Sequence, residues 1–212
     1  MSDQIKNPFI KPEYVIKCAL AGWEFKDRRA AEMAVIYLHN VDRMDIKPLI
    51  VLRAPLDIDK TWLDHVGCSP FTFAPPAKTD SRSMWRAFER CITRSVPVAL
   101  FEGLRRRAFW RSAPDLRALH RSALFCRPFH GELKTIENRT AFVITTSDPD
   151  FPRHHPDLHL LNVDIVGHDG SSTPTVPPSD VREAARAFLS ETPDRDWRKS
   201  ILLPVTGSEE LP

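Results

Sequence analysis

The spacing of the apolar residues changes near Gly131, where a mainly helical pattern gives way to an extended one. Helices and strands that occur in blocks, without regular alternation, favour an α+β fold with a small mixed or antiparallel sheet covered by several helices. The predicted helices are 27–41, 81–94, 96–110 (with Ser95 as its N-cap), 113–125 and one that begins at Asp180. The predicted strands are 49–52, 71–73, 132–136, 140–146 and 158–166, of which 132–136 and 140–146 form a hairpin through Glu137-Asn138-Arg139.

The composition along the chain predicts one domain with a C-terminal extension. We expect a single α+β domain over residues 1–169, within which 82–127 is an arginine-rich helical block and 132–166 holds strands. The sequence GSSTPTVPPS at 170–179 is typical of a Pro- and Ser-rich linker. Beyond it we expect a helix and a short extended segment over 180–203, then a disordered tail over 204–212.

Glycine is scarce in this chain and proline is abundant, with 7 Gly and 19 Pro among 212 residues. Loops that hold phosphates need glycine where the backbone approaches the anion closely. None of the patterns GxGxxG, GxxxxGK[ST] or GxSxG occurs. A dinucleotide-binding Rossmann domain, a P-loop enzyme and an α/β-hydrolase are therefore not expected.

The cysteines and the apolar runs predict a cytoplasmic protein that does not enter a membrane. The four cysteines are tens of residues apart and form no CxxC pair, which is typical of free thiols. Cys68 follows His65 by three residues, and the two act as a nucleophile and its base only if the fold brings them together. The apolar runs are far shorter than the roughly 18 residues of a membrane span, and the first fourteen residues contain no secretory signal.

Positive charge is concentrated in residues 82–127, where eleven arginines oppose three acidic residues. This block has a net charge of +8, whereas the rest of the chain carries −6. The block contains no lysine, which favours bidentate recognition of phosphate or carboxylate. Four arginines recur every fourth residue, so they predict a ridge along one side of a helix. The predicted anion-binding residues are Arg82, Arg86, Arg90, Arg94, Arg105, Arg106, Arg107 and Arg111.

Like charges four residues apart destabilise a helix by about 0.2–0.5 kcal/mol per pair, so an anion is expected opposite this ridge. It is either an external polyanion, an acidic protein surface or the acidic C-terminal stretch of the chain itself; a fully solvated ridge is the remaining alternative. The aspartates of that stretch are Asp148, Asp150, Asp157, Asp164 and Asp169. Aromatic residues are interleaved with the arginines, and their helical spacing places most of them in the core.

The predicted order of three helices and a hairpin over 82–146 also fits a winged helix-turn-helix. In that arrangement the helix 113–125 enters the major groove of DNA and presents Arg117 and Arg121 to it. No helix-turn-helix sequence pattern accompanies this order of elements.

A second candidate site is the cluster of histidines and aspartates after residue 150. If 156–160 is extended, His155, Asp157 and His159 point to the same side of the chain. Two imidazoles and a carboxylate are a plausible facial ligand set for Zn²⁺ or Fe²⁺ that leaves positions open for water. The sequence HHPDLH matches neither HExxH nor HxHxDH, and polar residues of a turn explain it equally well.

The leading hypothesis is therefore a binding or regulatory module that needs no cofactor. Its arginine-rich helical block contacts an anionic partner, either nucleic acid or an acidic protein surface. The first alternative is a metal-dependent hydrolase that uses His155, Asp157 and His159 to hold a divalent zinc or iron ion. The second alternative is a structural or interaction protein with neither activity.

Overall fold

Six strands form a mixed sheet with helices on both faces in the computed structural model, which describes residues 11–55, 58–73, 81–103, 109, 116–126, 131–170 and 176–191. For residues 81–84, 126 and 191 it describes the backbone alone. The helices are α1 (Pro12–Ala19), α2 (Arg28–Asn40), α3 (Ile58–His65), α4 (Ser81–Thr93) and α5 (Pro178–Glu191), and a 3-10 turn, Val41–Arg43, follows α2. The strands are β1 (Trp23–Phe25), β2 (Leu49–Arg53), β3 (Phe71–Phe73), β4 (Val98–Phe101), β5 (Ala123–Cys126), β6 (Lys134–Glu137), β7 (Ala141–Thr146) and β8 (Leu160–His168).

The strand order in the large sheet is β1-β8-β2-β7-β4-β3, and its five strands from β8 to β3 are parallel. Strand β8 lies between β1 and β2 in this order and pairs with each of them over a different part of its length. Its first half pairs with β2, and its second half pairs with the antiparallel edge strand β1. The two remaining strands, β5 and β6, form a separate antiparallel hairpin that lies between β4 and β7 in the chain.

The central strands are apolar on both faces because both faces are covered. Every residue of β4 and of β7 is buried, as parallel strands between two layers require. Ile50 and Leu52 of β2 point into a first core, which α1, α2, α3 and α5 cover. Leu49 and Val51 of the same strand point into a second core, which is covered by α4, by the β5–β6 hairpin and by the segment between β7 and β8.

The predicted α+β class, with a mixed sheet covered by helices in a single domain, is confirmed. The predicted helices 27–41 and 81–94 correspond to α2 and α4, and the helix predicted to begin at Asp180 corresponds to α5. The predicted strands 49–52, 71–73 and 158–166 correspond to β2, β3 and β8. Half of the predicted linker, residues 171–175, and the predictions for 192–212 lie outside the described residues, while the last two linker residues already belong to α5. Among the described helices, none combines the length and the apolar character needed to cross a bilayer.

The helix predicted over 96–110 is wrong at its N-terminal end, because Val98–Phe101 is the buried strand β4. Ser95 is not an N-cap but ends α4 in the left-handed conformation, with φ 51°. The helix predicted over 113–125 is also wrong for most of its described part, because only 116–118 is helical and Ala123–Cys126 is β5. Short apolar runs of this kind fit a buried strand and a buried helix equally well when they are read locally.

The predicted hairpin between 132–136 and 140–146 is wrong as well. Strand β6 pairs with β5, while β7 lies between β2 and β4 in the large sheet. The three successive helices needed for a winged helix-turn-helix are therefore not present in the described residues of 82–146.

Candidate anion-binding surface

Arg86 and Arg90 lie on the side of α4 that faces away from the sheet. Phe88 and Ile92 are buried in the second core, and this orientation leaves Arg86 and Arg90 exposed. Arg94 directly follows α4 and continues its last turn, because its backbone N–H donates to the carbonyl of Arg90 over 3.2 Å. Arg94 is exposed too, so the predicted four-residue repeat forms an outward-facing row. We call Arg86, Arg90 and Arg94 the arginine face.

The internal ion pairs that would make this row structural are absent from the described residues. Within the described part of the chain, none of the three arginines of the arginine face forms an ion pair. Of the other predicted anion-binding residues, Arg82 has a side chain outside the described part. Arg105, Arg106, Arg107 and Arg111 lie entirely outside it.

Two aspartates of the acidic C-terminal stretch have partners elsewhere in the molecule. Asp164 lies 3.4 Å from the guanidinium of Arg53 and 2.6 Å from that of Arg153. Asp157 forms an ion pair with Arg117, which belongs to the arginine-rich block but not to α4. The arginines that these two carboxylates neutralise are Arg53 at the end of β2, Arg153 between β7 and β8, and Arg117, so they leave the charge of the arginine face uncompensated.

The structure does not bring the predicted metal ligands together. Residues 155–158 form a tight turn, closed by a hydrogen bond from the Leu158 N–H to the His155 carbonyl over 3.3 Å. His155 Nδ1 accepts the backbone N–H of Asp157 over 3.0 Å, and the His159 ring packs 5.2 Å from that of His120. No group of three His, Cys, Asp or Glu residues in the described ranges is arranged to hold a metal ion. The alternation that would have aligned the three side chains therefore does not occur.

Cys68 is buried beside His39 rather than His65. Its Sγ lies 3.6 Å from His39 Nε2, but that nitrogen is also 2.8 Å from the Val66 carbonyl and donates its proton there. Burial raises the pKa of Cys68 to about 12, so the thiol stays protonated at neutral pH. His65 is engaged separately, with Nε2 2.9 Å from the Ala19 carbonyl. This pair is part of the packing and is not an activated nucleophile.

The carboxyl ends of the parallel strands form a second feature, which the sequence did not indicate. The connection from β2 to β3 crosses the first core through α3, whereas the connection from β7 to β8 crosses the second core. Neighbouring strands whose connections leave to opposite faces create a crevice at their carboxyl ends, where α/β proteins commonly bind ligands. Arg53 at the end of β2 donates to the carbonyls of Phe151 and Pro152 over 3.0 and 3.1 Å, so it ties the end of β2 to the segment that follows β7.

The β2–α3 connection occupies the position of a phosphate-binding loop but lacks its glycines. Lys60 and Thr61 have the spacing from Ala54 that GxxxxGK[ST] requires, with Ala54 and Asp59 at the two glycine positions. Asp59 Oδ1 accepts the Lys60 N–H over 2.8 Å, and Lys60 Nζ lies 2.5 Å from a carboxylate oxygen of Glu102. In a P-loop the backbone N–H groups and the lysine ammonium contact phosphate, whereas the N–H and the ammonium of Lys60 contact the carboxylates of Asp59 and Glu102 here. Without its two glycines the GxxxxGK[ST] pattern cannot be recognised in the sequence. The correspondence is visible only because the sheet places this segment between β2 and α3.

Comparisons with known proteins identify no family. No protein-family model matches the chain, and no curated protein matches it. One similar solved structure is described as "The A form apo structure of NrS-1 C terminal region-CTR(305-718)", with a TM-score of 0.43 and 10% identity. The similarity covers 92% of this chain and 52% of that one, so the chain spans about half the length of its neighbour.

Proposed function

We propose that this protein is a binding module for nucleic acid and that it contacts the phosphate backbone through the arginine face. The observation that supports this proposal most directly is the exposure of Arg86, Arg90 and Arg94 without an ion pair within the described residues. Three uncompensated like charges in one row cost helix stability unless a partner or solvent screens them. A bound polyanion removes that cost and releases its own counterions.

The spacing and the residue type favour a phosphate backbone over an acidic protein surface. Successive arginines of the row are about 6 Å apart along the helix axis, given a rise of 1.5 Å per residue. A nucleic-acid strand presents anions at regular intervals, whereas carboxylates on a folded protein rarely form such a row. Guanidinium groups also bind phosphate in a bidentate manner, which lysine does not do.

The test measures binding of a labelled DNA oligonucleotide to the full chain over a range of salt concentrations. We expect the affinity to fall steeply with salt, with a slope of about 0.7–0.9 per phosphate contact in a log–log plot. The triple variant R86Q/R90Q/R94Q should reduce that slope by about 2–3, because it removes three of those contacts. Circular dichroism of the triple variant checks that it remains folded.

The matched control is R28Q/R43Q/R182Q, which removes the same charge from exposed arginines on the other side of the sheet. It should bind DNA within about twofold of the natural chain, since nonspecific charge effects are small and screened by salt. Absence of DNA binding at low salt, or equal losses in the two triple variants, would contradict the proposal. Equally tight binding of polyglutamate would show that the surface recognises charge alone and would assign it to an acidic protein.

A further inference from the structure

The β5–β6 hairpin buries one of its faces and leaves the other uncovered. Leu124 and Ile136 point into the second core, and the alternate residues of both strands point away from it. Among these outward residues, the side chain of Phe125 is 67% exposed, and Leu133 beside β6 is 60% exposed. The sequence predicts burial for most aromatic residues of the arginine-rich block, and Phe125 is an exception to that prediction.

The face of the Phe125 ring is open to a ligand. Phe125 pairs across the hairpin with Thr135, whose small side chain cannot cover an aromatic ring. Removing an exposed aromatic ring from water lowers the free energy of the system, so a flat ligand that covers this ring gains affinity from it. The ring therefore provides a flat apolar surface held by a two-stranded scaffold.

The surroundings of this ring favour an anionic partner. Strand β6 contacts α4, so the hairpin is adjacent to the helix that carries the arginine face. Exposed cations also lie at the hairpin itself, with Arg121 before β5 and Lys134 at the start of β6. The outward carboxylate of Glu137 lies 2.7 Å from the guanidinium of Arg139, which offsets its charge. Glu132 is also exposed, so the cations of the hairpin and of α4 outnumber its acids.

We propose that Phe125 is a stacking platform for an unpaired base, and that the nucleic acid bound by this protein is single-stranded. This inference rests on the proposed function, because the arginine face supplies the phosphate contacts. An aromatic ring next to a cationic groove is the combination that single-strand binding proteins use, since every base has a π-face. In a duplex those faces are stacked on one another, and only the phosphates remain available to the arginines.

The experiment compares F125A with the natural chain for binding to a single-stranded DNA of about 16 nucleotides and to the duplex of the same sequence. We expect F125A to weaken single-strand binding about tenfold, which corresponds to about 1.4 kcal/mol. Duplex binding should change by less than twofold, because the ring has no unpaired base to contact there. F125Y keeps an aromatic face and should retain single-strand affinity within about threefold.

Two control variants separate base stacking from a purely apolar contact. V166A shortens a different exposed apolar residue, on the strand that pairs with β1, and should leave binding unchanged. L133A removes apolar area beside Phe125 without removing an aromatic face, and should cost less than twofold. If L133A weakens binding as much as F125A, or if F125A disrupts a dimer seen by sedimentation, the hairpin is an apolar protein-docking surface and the inference is wrong.

The outcomes also distinguish this inference from the proposed function. If the arginine-face variant loses affinity for both DNA forms while F125A loses none, the proposed function stands and the stacking platform does not. If the natural chain binds neither form at low salt, both fail. A single-strand preference that disappears in F125A and returns in F125Y would support both.

Discussion

At the scale of single residues, Asn138 holds the β5–β6 hairpin to the large sheet. Its Nδ2 donates to the carbonyls of Leu119 and Arg121 over 2.9 and 3.2 Å, and its Oδ1 accepts the Thr140 N–H over 3.2 Å. The side chain is fully buried. N138A leaves these buried groups unpaired and should lower the free energy of unfolding by about 2–4 kcal/mol, because each lost partner costs about 1–3 kcal/mol.

Urea denaturation of the purified variants measures this loss. E137A, at the preceding position, removes the exposed pair with Arg139 and leaves the hydrogen bonds of Asn138 in place, so it should change the free energy of unfolding by less than about 1 kcal/mol. Equal losses in N138A and E137A would show that the buried hydrogen bonds are not the cause.

The role of Asn138 could not be predicted from the sequence. Read locally, Glu137-Asn138-Arg139 has the polarity and turn propensity of a hairpin loop. The carbonyls that its amide contacts lie 17 and 19 residues earlier in the chain, in a segment whose predicted helix is absent. Hydrogen bonds between residues so far apart leave no pattern in the local sequence. The buried Asn138 therefore has the local sequence of an exposed turn.

At the scale of secondary-structure elements, the end of α4 decides where β4 begins. Val96 N–H donates to the Cys91 carbonyl and Ser95 N–H to that of Ile92, each over 3.0 Å, which is a Schellman motif with Ser95 at the left-handed position. Glycine is preferred there because a side chain costs roughly 1 kcal/mol in that conformation. S95G should therefore raise the free energy of unfolding by about 0.5–1 kcal/mol, measured by urea denaturation.

The control for this prediction is S69G, at an exposed position outside the helices and strands, with φ not in the left-handed region. Glycine there only adds freedom to the unfolded chain, so S69G should be neutral or destabilising. A loss of stability in S95G similar to that in S69G would contradict the assigned role of Ser95.

Element prediction succeeded where a segment carries a clear period or is bounded by prolines on both sides, as β2 is by Pro48 and Pro55, and it failed where neither signal is present. Helix α4 was predicted because Phe88 and Ile92 alternate with exposed arginines at helical spacing. Strand β4 was missed because Val98–Phe101 is buried throughout, and four continuous apolar residues carry no period. That one error also concealed the parallel sheet, and with it the crevice at the carboxyl ends of β2 and β7.

At the scale of the whole molecule, the two faces of the large sheet are covered by different elements. Helices α1, α2, α3 and α5 cover one side, whereas the other side carries α4 with the arginine face and the hairpin with Phe125. The described part of the arginine-rich block that forms the arginine face therefore lies on the same side of the sheet as the hairpin. The charge count left open whether these arginines pair within the chain or face outwards, and the structure shows Arg86, Arg90 and Arg94 exposed. The exposed ring beside it could not be predicted, because burial depends on which strand pairs with which.

Three buried histidines make the stability of the whole fold depend on pH. His39, His65 and His120 each contact a backbone carbonyl of a distant segment, namely those of Val66, Ala19 and Lys47. His120 must remain neutral, because Nδ1 is 2.5 Å from the Lys47 carbonyl while Nε2 accepts the His159 N–H over 3.2 Å. Burial lowers the pKa of all three, and lowers the pKa of His120 to about 4.

Because the folded-state pKa lies below the unfolded value of 6.5, the unfolded chain binds more protons in this interval. The stability that His120 contributes is present above pH 6.5 and is lost as the pH falls towards 4, by an amount on the order of 3 kcal/mol. Urea denaturation at about pH 7.5, 6, 5 and 4.5 measures how much the free energy of unfolding falls across this interval. H120Q keeps a donor and an acceptor without titrating, so its stability should fall less on acidification than that of the natural chain. If the two proteins lose stability in parallel, His120 is not the group that takes up the proton.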